Sequence, residues 1–495
     1  MVKGIPKAKI AEWLLEEGYY PEQYVLPPCF RVCQFNLNKV PFFKAKKKRS
    51  GNCEFKPSTS DLITVSFPKS QLTDRTFGII EPQIYHDLVW YIQDEWDSII
   101  KHLFHKDIHI YSYSFPIPVD KQSHGKLGKL RAGRMIYEWI EMAENDLVAE
   151  AYRFRYMLTT DIKNFYPSIY PHSIAWALHG KTNARSDHFR FALLGTKLDK
   201  LCQNANDGCT NGLPIGSAIT DLISEILLAA IDHETSKSLI SQQIDFLAVR
   251  FKDDYRFLCS SRTDAEKIIK TLQSKMRYYN LTLNESKSEI RGLPEGLFRT
   301  WTSKYQKHSL RYKRRISYKT FETSLLAALQ IDKEFPDTGV IDKFLSELVS
   351  KKHNLKLRLT GKNIFKAFSL LMLLKERRSK AFPQILAIIE LIIMNNKKDK
   401  SIVDALSDSL ESLLTKAFSN SEDNQYDLLW LTYLIKSNRL KKIKWPKFKS
   451  QELLASIKSN KQRFYSTVPN IQLFDKIKFS KKSNMIKHLA PFQRP

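Results

Sequence analysis

The sequence lacks the features that mark membrane-spanning, secreted and zinc-binding proteins. No run of about 18 apolar residues occurs, and the most apolar segment, Ile385–Met394, is short and contains Glu390, so no membrane association is predicted. The N-terminus Met-Val-Lys-Gly-Ile-Pro has no signal-peptide core. The six cysteines form no Cys-x-x-Cys pair, which argues against a zinc site and favours reduced thiols in a cytoplasmic protein. None of the twelve scattered histidines is predicted to bind a metal.

Acidic residues are few relative to basic ones. Against 79 Lys and Arg there are 52 Asp and Glu, which gives a formal net charge of +27. A surplus of this size predicts a polyanionic partner, of which nucleic acid is the default. The apolar fraction of 43% is ordinary, and 495 residues suffice for two or three domains with sizeable cores.

Two adjacent carboxylates interrupt an apolar stretch near the middle of the chain. Residues Phe246–Phe251 and Tyr255–Cys259 are rich in β-branched and aromatic residues, so they are predicted strands with Asp253 and Asp254 at the tip of a hairpin. Such pairs also occur in ordinary solvated turns. A functional site is favoured because a second apolar run ends at Asp161, directly before a turn that contains proline.

Clustered carboxylates constrain the chemistry of such a site. Like charges repel and raise one another's pKa, so three neighbouring acids need a cation to hold them ionised. Mg²⁺ prefers carboxylate oxygens and also takes oxygens from substrate phosphates. Two such ions, roughly 3.5–4 Å apart, stabilise the attacking and the leaving oxygen of an in-line phosphoryl displacement. We therefore expect two Mg²⁺ ions, with Mn²⁺ able to substitute, at Asp161, Asp253 and Asp254.

Four motifs in order make the sequence resemble the palm of a reverse transcriptase. Asp161 stands where the family has its first catalytic Asp, and Phe251-Lys-Asp-Asp254 stands where it has an aromatic, a variable residue and Asp-Asp. Between them, Gly212-Leu-Pro-Ile-Gly-Ser-Ala-Ile-Thr220 is similar to the family's Leu-Pro-x-Gly contact with template and nucleotide. After them, Leu281-Thr-Leu-Asn-Glu-Ser-Lys-Ser288 is similar to its Leu-Asn-x-x-Lys element.

The resemblance implies roles for further residues. Ile162 would join the metal-binding set. Tyr166 would block the sugar 2′-hydroxyl and so favour dNTPs and a DNA product, although the ring also fits simple packing beneath the strand. Lys287 would neutralise or protonate the leaving pyrophosphate, although a solvated lysine is the alternative. The residues implied to contact the nucleotide are Arg75, Tyr166, Pro214, Ile215, Gly216 and Lys287.

Basic residues on both sides of this site predict contacts with nucleic acid. Lys252 departs from the family pattern, where the residue is small or apolar; it either touches the primer end or points away along the strand. Residues 299–319 have eight Lys and Arg, no acid and four interleaved aromatic rings. Cations pair with phosphates and rings stack on bases, although a thumb packed by its rings is the alternative. The predicted contacts are Lys252, Arg299, Lys304, Lys307, Arg311, Lys313, Arg314 and Arg315.

The composition changes near residue 320. The predicted fold is α+β: right-hand polymerase fingers and palm, with an antiparallel palm sheet and helices, over 1–320, including the start of a thumb-like region. Helical spacing over 321–440 predicts an all-α, HEAT-like repeat domain, although no strict period is present. Residues 441–495 contain fourteen Lys and Arg and two acids, so they are predicted as a basic tail that either binds RNA or is merely solvated. The candidate helices lie near Tyr318–Ile331, Val340–Lys351, Gly361–Arg378, Pro383–Asn395, Ile402–Phe418 and Tyr426–Ser437.

The N-terminal segment and a helical domain after the palm resemble the bacterial defence-associated branch of the family, the abortive-infection and "unknown group" enzymes. That resemblance implies an antiphage DNA polymerase that forms a homo-oligomer, trimer or hexamer, and copies a bound noncoding RNA or works without a template. Priming on a protein tyrosine is one route. One alternative is a catalytically idle RNA-binding scaffold. Another is a retron or group II intron enzyme, although a Val-Thr-Gly element and a Cys- or His-rich endonuclease appendage are missing from the sequence.

Overall fold

The computed structural model describes residues 7–15, 20–21, 25–35, 40–47, 53–116, 147–440, 443–445, 451–466 and 470–490. The strands are β1 (Phe30–Phe35), β2 (Lys44–Lys47), β3 (Cys53–Lys56), β4 (Ile63–Pro68), β5 (Asp74–Ile79), β6 (Ile110–Ser112), β7 (Tyr156–Asp161), β8 (Phe246–Phe251), β9 (Asp254–Cys259), β10 (Glu289–Gly292) and β11 (Ile471–Phe474). The helices are α1 (Ile10–Leu14), α2 (Pro82–Asp94), α3 (Trp96–Leu103), α4 (Leu147–Glu150), α5 (Phe165–Ser168), α6 (His172–His179), α7 (Lys181–Ser186), α8 (Leu194–Asn204), α9 (Ala218–Ser241), α10 (Arg262–Tyr278), α11 (Thr300–Gln306), α12 (Tyr318–Glu334), α13 (Val340–Glu347), α14 (Lys362–Arg377), α15 (Phe382–Asn395), α16 (Lys400–Ser419), α17 (Gln425–Asn438), α18 (Glu452–Ser459) and α19 (Asn484–Leu489).

A five-stranded sheet, in the order β10-β7-β9-β8-β6, lies at the centre of the first half of the chain. The pairs β10–β7, β7–β9 and β8–β9 are antiparallel, whereas β6 runs parallel to β8 at the edge. Strands β8 and β9 are the two arms predicted around the acidic pair, and β9 begins one residue early, at Asp254. The palm sheet is therefore antiparallel, as expected, except for its edge strand.

Helix α9 supports this sheet and contacts α3, α6, α10 and β6. Ser217 precedes its first residue, and its hydroxyl accepts a hydrogen bond from the backbone N–H of Thr220 and so caps the helix. The helix is buried over most of its length, yet it contains three carboxylates on one face. These are Asp221, Glu225 and Asp232, which are all at most 5% exposed.

Arg250 of β8 links the sheet to α9 by a buried ionic network, in which its side chain is 1% exposed. Its guanidinium donates two hydrogen bonds to Glu225, at 2.9 and 3.0 Å, and one to Asp232 at 2.9 Å. Tyr255 of β9 donates to the other oxygen of Asp232, also at 2.9 Å. Planar, bidentate pairing of this kind satisfies buried charges that would otherwise be costly to desolvate.

The helices predicted after residue 320 are present, and their bounds agree with the predicted ones within a few residues, which makes this part of the chain a helical region. Helices α15 and α17 lie at its centre, and α15 contacts α13, α14, α17 and α19. None of the described helices has the length and apolarity needed to cross a membrane.

The described parts of 441–495 are folded against the rest of the chain rather than extended from it. Strand β11 pairs with β1 near the N-terminus, with Phe474 opposite Phe30. Helix α19 buries Met485 and Ile486, and α19 contacts α15. A single core of buried apolar residues extends through both halves of the chain. The boundaries predicted at 320 and 440 stay a prediction.

Replacing Arg250 by Met should destabilise the fold by about 3–5 kcal/mol, because two buried carboxylates lose their cation. Urea unfolding followed by circular dichroism would measure the change. The matched control is Arg277→Met on the exposed face of α10, which should stay within about 0.5 kcal/mol of the parent protein. Equal stability of the two variants would show that the network contributes nothing.

Candidate active site

Pairing of β7 with β9 brings the three predicted carboxylates to one end of the sheet. Asp161, the last residue of β7, is the register partner of Asp254, the first residue of β9. The backbone N–H of Ile162 donates to the carbonyl of Asp253 at 3.3 Å. Acids that are distant in the sequence therefore occupy adjacent positions on neighbouring strands.

The turn between β8 and β9 is held in a strained backbone conformation. Lys252 has a φ of 53°, in the left-handed region that a lysine rarely adopts. Its N–H donates to the hydroxyl of Ser114 at 2.9 Å, and its carbonyl accepts from Arg250 at 3.1 Å. These two hydrogen bonds hold the backbone of Lys252 in this conformation and so fix the position of the turn that contains Asp253.

The side chain of Lys252 points toward the first turn of α9. Its ammonium lies 3.1 Å from a carboxylate oxygen of Asp221 and 5.7 Å from the ring centroid of Tyr166. The hydroxyl of Tyr166 donates to the other carboxylate oxygen of Asp221. Asp221 therefore orients both predicted side chains, and it was missed in the sequence. The available signal was an acid in the first turn of an otherwise apolar helix.

The segment 212–220 lies between the palm and the β4–β5 hairpin of the fingers. Its Ile215 carbonyl accepts from the N–H of Gly78 at 2.7 Å. Gly216 has a φ of 137°, and a Cβ there would lie 2.8 Å from the ring of Phe77 and 2.9 Å from the carbonyl oxygen of Gly78. Only glycine permits this close approach. Pro214 lies at the same contact, where a Cβ on Gly78 would meet it at 3.4 Å.

Two basic side chains from distant parts of the chain lie near one another, and one of them acts on a carboxylate of the cluster. Arg75 projects from β5, and its charge acts to lower the pKa of Asp253. Desolvation, followed by the charges of Arg378 and Arg75, lowers the pKa of Lys380 to about 8, which indicates that Lys380 lies near Arg75. Sequence reasoning did not find Lys380, because its place beside the fingers depends on packing between distant segments.

The burial and the charges of the carboxylates are typical of a cation-binding site. Asp161 is 4% exposed, and its Oδ1 is buried without a hydrogen-bond partner among the described residues. Desolvation, together with the charge of Asp161, raises the pKa of Asp253. Asp254 is exposed, yet desolvation by the surrounding protein and the charges of Asp253 and Asp161 raise its pKa to about 6. Oxygen donors of this kind suit Mg²⁺.

Lys287 provides the positive charge closest to this cluster. Desolvation acts to lower its pKa, but a hydrogen bond to Asp161 Oδ2 and the charges of the three carboxylates outweigh it and raise the pKa. The segment before it is fixed to β7, because the N–H of Asn284 donates to the carbonyl of Asp161 at 2.8 Å. The lysine is therefore paired rather than merely solvated.

The basic segment 299–319 combines packed rings with exposed cations. Trp301 and Tyr305 are buried, whereas Tyr312 is 89% exposed. Lys304 forms an ion pair with Glu334 on the surface. The alternative of a thumb packed by its rings thus holds for Trp301 and Tyr305, whereas contact of the cations with nucleic acid stays a prediction. The exposed cations are Arg299, Lys304, Lys307, Arg311, Lys313, Arg314, Arg315 and Lys319.

Arg256 of β9 is a further cation near the site that the sequence analysis did not single out. It is two residues from Asp254, and desolvation and the nearby charge of Arg299 lower its pKa, while Asp254 acts to raise it. Alternation along a strand places residues 254 and 256 on one face of the sheet. Arg256 thus connects the acidic cluster with the basic segment.

Replacing Asp254 by Asn should stabilise the metal-free protein at pH 8. The folded chain binds this proton more tightly than the unfolded chain does, so ionisation above pH about 6 costs stability that a neutral amide does not lose. The gain should shrink toward pH 4, where the native carboxyl is protonated. Thermal unfolding in EDTA at both pH values would measure it.

Saturating Mg²⁺ should reverse that order, because the parent protein binds the cation with a full set of carboxylates. Asp408→Asn, on the exposed face of α16, is the matched control and should change neither result. A destabilised Asp254→Asn variant at pH 8 without metal would contradict the repulsion inferred at this site.

Comparison with protein families shows that residues 116–312 match the model described as reverse transcriptase (RNA-dependent DNA polymerase). The match contains all four sequence motifs. No curated protein sequence matches the chain.

Similar solved structures are telomerases. Apo telomerase from Candida tropicalis has a TM-score of 0.33 and 12% identity, over 75% of this chain and 70% of that one. A form truncated from its C-terminal domain has a TM-score of 0.29 and 15% identity, over 49% and 52%. Telomerase from Candida albicans, in complex with the TWJ fragment of telomeric RNA, has a TM-score of 0.31 and 11% identity, over 76% and 66%.

Proposed function

We propose that this RNA-directed DNA polymerase, which matches the reverse transcriptase model over residues 116–312, joins dNTPs by two-metal phosphoryl transfer. The observation that carries the proposal is the cluster at the end of the palm sheet. Asp161 and Asp254 are register partners, and the carbonyl of Asp253 accepts a hydrogen bond from the N–H of Ile162. Within the described parts of the chain, one buried oxygen of Asp161 has no hydrogen-bond partner. Such a cluster is built to hold cations against a phosphate.

Asp161, Asp253 and Asp254, with Ile162, would hold two Mg²⁺ ions, which supply charge neutralisation at the oxygens that attack and leave in phosphoryl transfer. A 3′-hydroxyl attacks the α-phosphate of a dNTP, a new P–O bond forms, and the bond to pyrophosphate breaks. Lys287, which pairs with Asp161, would neutralise the departing pyrophosphate. Arg75, with Lys380 near it, would bind the triphosphate before it reacts.

Tyr166 selects the sugar in this proposal. Its hydroxyl donates to the carboxylate of Asp221, and the ammonium of Lys252 lies 5.7 Å from the ring centroid. The ring itself would provide the steric barrier to a 2′-hydroxyl, and these contacts would help to orient it. The segment with Pro214, Ile215 and Gly216 would form the opposite wall.

The exposed cations of the basic segment would bind the nucleic-acid backbone, and Tyr312 would stack on a base. We propose a noncoding RNA as the partner, used as template or as scaffold for untemplated synthesis, with protein priming as one route. The basic composition and the free cysteines of the described chain are compatible with this setting in the cytoplasm. Antiphage defence, a HEAT-like arrangement of α12–α17 and a trimer or hexamer belong to the same proposal.

A catalytically idle RNA-binding scaffold is the second candidate. The exposed cations after α11 favour a scaffold, because they would bind RNA whether or not the protein is catalytically active. The retained acidic cluster favours the polymerase. A retron or group II intron enzyme is a third candidate, which sequencing of co-purified RNA and DNA would distinguish.

In the double variant Asp253→Ala, Asp254→Ala, Mg²⁺-dependent incorporation of dNTPs should fall by at least about a thousandfold, because two of the three carboxylates that would hold the metal ions are removed. Each tenfold loss corresponds to about 1.4 kcal/mol of transition-state stabilisation. The assay would follow labelled dNTP in acid-insoluble product, with the RNA that co-purifies left in place. Asp408→Ala is the matched control and should retain parental activity.

Incorporation at the parental level by the double variant would defeat the polymerase assignment. The biological effect of the double variant distinguishes a scaffold from a polymerase, because a scaffold would keep that effect without the two carboxylates. Covalent attachment of the DNA product to the chain would identify protein priming.

Substituting Tyr166 by Ala should raise the use of rNTPs relative to dNTPs by about tenfold or more, a change of about 1.4 kcal/mol in discrimination. Tyr166→Phe keeps the ring and loses only the hydrogen bond to Asp221, so most of the selectivity should remain. Competition between labelled rNTP and dNTP would measure the ratio. Unchanged selectivity in Tyr166→Ala would remove the ring from this role.

A further inference from the structure

A cluster of potential metal ligands lies on the palm away from the acidic hairpin. His105 and Asp107 belong to the loop between α3 and β6, and His233 lies on α9. One ligand atom from each of the three side chains lies within 4.8 Å of the others. His233 is twelve residues beyond Asp221 on the same helix, which is about 18 Å along the axis. The cluster is therefore separate from the residues placed at the polymerase site.

The geometry of the loop turns both of its side chains toward α9. The N–H of Asp107 donates to His105 Nδ1 at 3.3 Å, and the Asp107 carboxylate lies 3.6 Å from the same nitrogen. The rings of His105 and His233 meet edge to face with centroids 4.4 Å apart. The loop is also tied to the helix by the N–H of His109, which donates to Ser236 at 3.0 Å.

The donor set has the chemistry of a transition-metal site. Zn²⁺ binds imidazole nitrogen and carboxylate oxygen at about 2.0–2.2 Å, so tetrahedral ligand atoms are about 3.3 Å apart. Separations of up to 4.8 Å here require movements of about one ångström by partly exposed side chains. Two imidazoles favour zinc over magnesium, which prefers oxygen donors. Three protein ligands leave one coordination position for water.

The surroundings of His233 add two further features. Glu234 Oε1 lies 3.7 Å from His233 Nδ1, where a carboxylate can orient the ring of a metal-binding histidine. His105 and His233 also line a cavity of about 640 Å³ whose walls include Trp176, Tyr278 and Tyr279. The cluster thus lies at a concave site that solvent and a dissolved ion can reach.

We propose that His105, Asp107 and His233 bind one Zn²⁺ ion, which fastens the loop before β6 to helix α9. This departs from the sequence analysis, which expected no histidine ligand, because the three residues form no local spacing motif. The ion would act on the catalytic hairpin through β6. Ser112 and Ser114, at its end, donate to Glu225 at 2.7 Å each, and Ser114 also accepts from the N–H of Lys252.

Titration of EDTA-dialysed, full-length protein with ZnCl₂ in a calorimeter tests the proposal. One equivalent should bind, and the midpoint of thermal unfolding should rise with zinc concentration, as expected for a ligand of the native state. His105→Gln and His233→Gln should each weaken binding by at least about tenfold and remove the thermal shift, in line with the loss of one ligand. His308→Gln, an exposed histidine after α11, is the matched control.

Co²⁺ in place of zinc gives a second readout, because four-coordinate cobalt absorbs visible light and the two ligand variants should lose these bands. The Asp253→Ala, Asp254→Ala variant should still bind one equivalent, which separates this result from any failure of the polymerase assignment. Absence of stoichiometric binding by the parent protein would overturn the proposal. So would unchanged affinity in His105→Gln, which alters only a surface loop and is expected to fold.

Discussion

Repulsion among three carboxylates is the constraint on which the candidate site depends. Backbone pairing of β7 with β9 holds Asp161 opposite Asp254 whatever their charge, so the strands force the acids together. Desolvation, together with this repulsion, raises the pKa values of Asp253 and Asp254. Lys287 relieves part of it from within the chain. A sheet that is stable enough to impose this arrangement creates the affinity for cations that phosphoryl transfer requires.

That sheet is supported by one helix whose acidic face serves two purposes. Glu225 and Asp232 of α9 neutralise Arg250 beneath the hairpin. Asp221, at the start of the same helix, fixes Tyr166 and Lys252 above it. Because the three carboxylates share a rigid scaffold, the orientation of the acidic tip and the orientation of the proposed sugar-selecting ring are coupled. Disturbing α9 should therefore affect both together.

Local patterns predicted the parts of this fold that depend on neighbouring residues. β-Branched and aromatic residues predicted β8 and β9, and helical spacing predicted α12–α17 within a few residues. The acids of α9 escaped notice because an apolar helix does not reveal which distant strand will supply a partner for them. The separation of 441–495 as a basic tail rested on charge alone, whereas its apolar residues pair with β1 and pack on α15.

By itself, the sequence determined the elements, their order, the net charge and the four motifs, since these follow from residues close together in the chain. Tertiary structure decided that Lys252 turns toward Asp221, that Lys287 pairs with Asp161 and that Lys304 is occupied by Glu334. It also assembled His105, Asp107 and His233. The partner of a long charged side chain is chosen by whichever opposite charge the packing brings within reach, and that choice has no local signature.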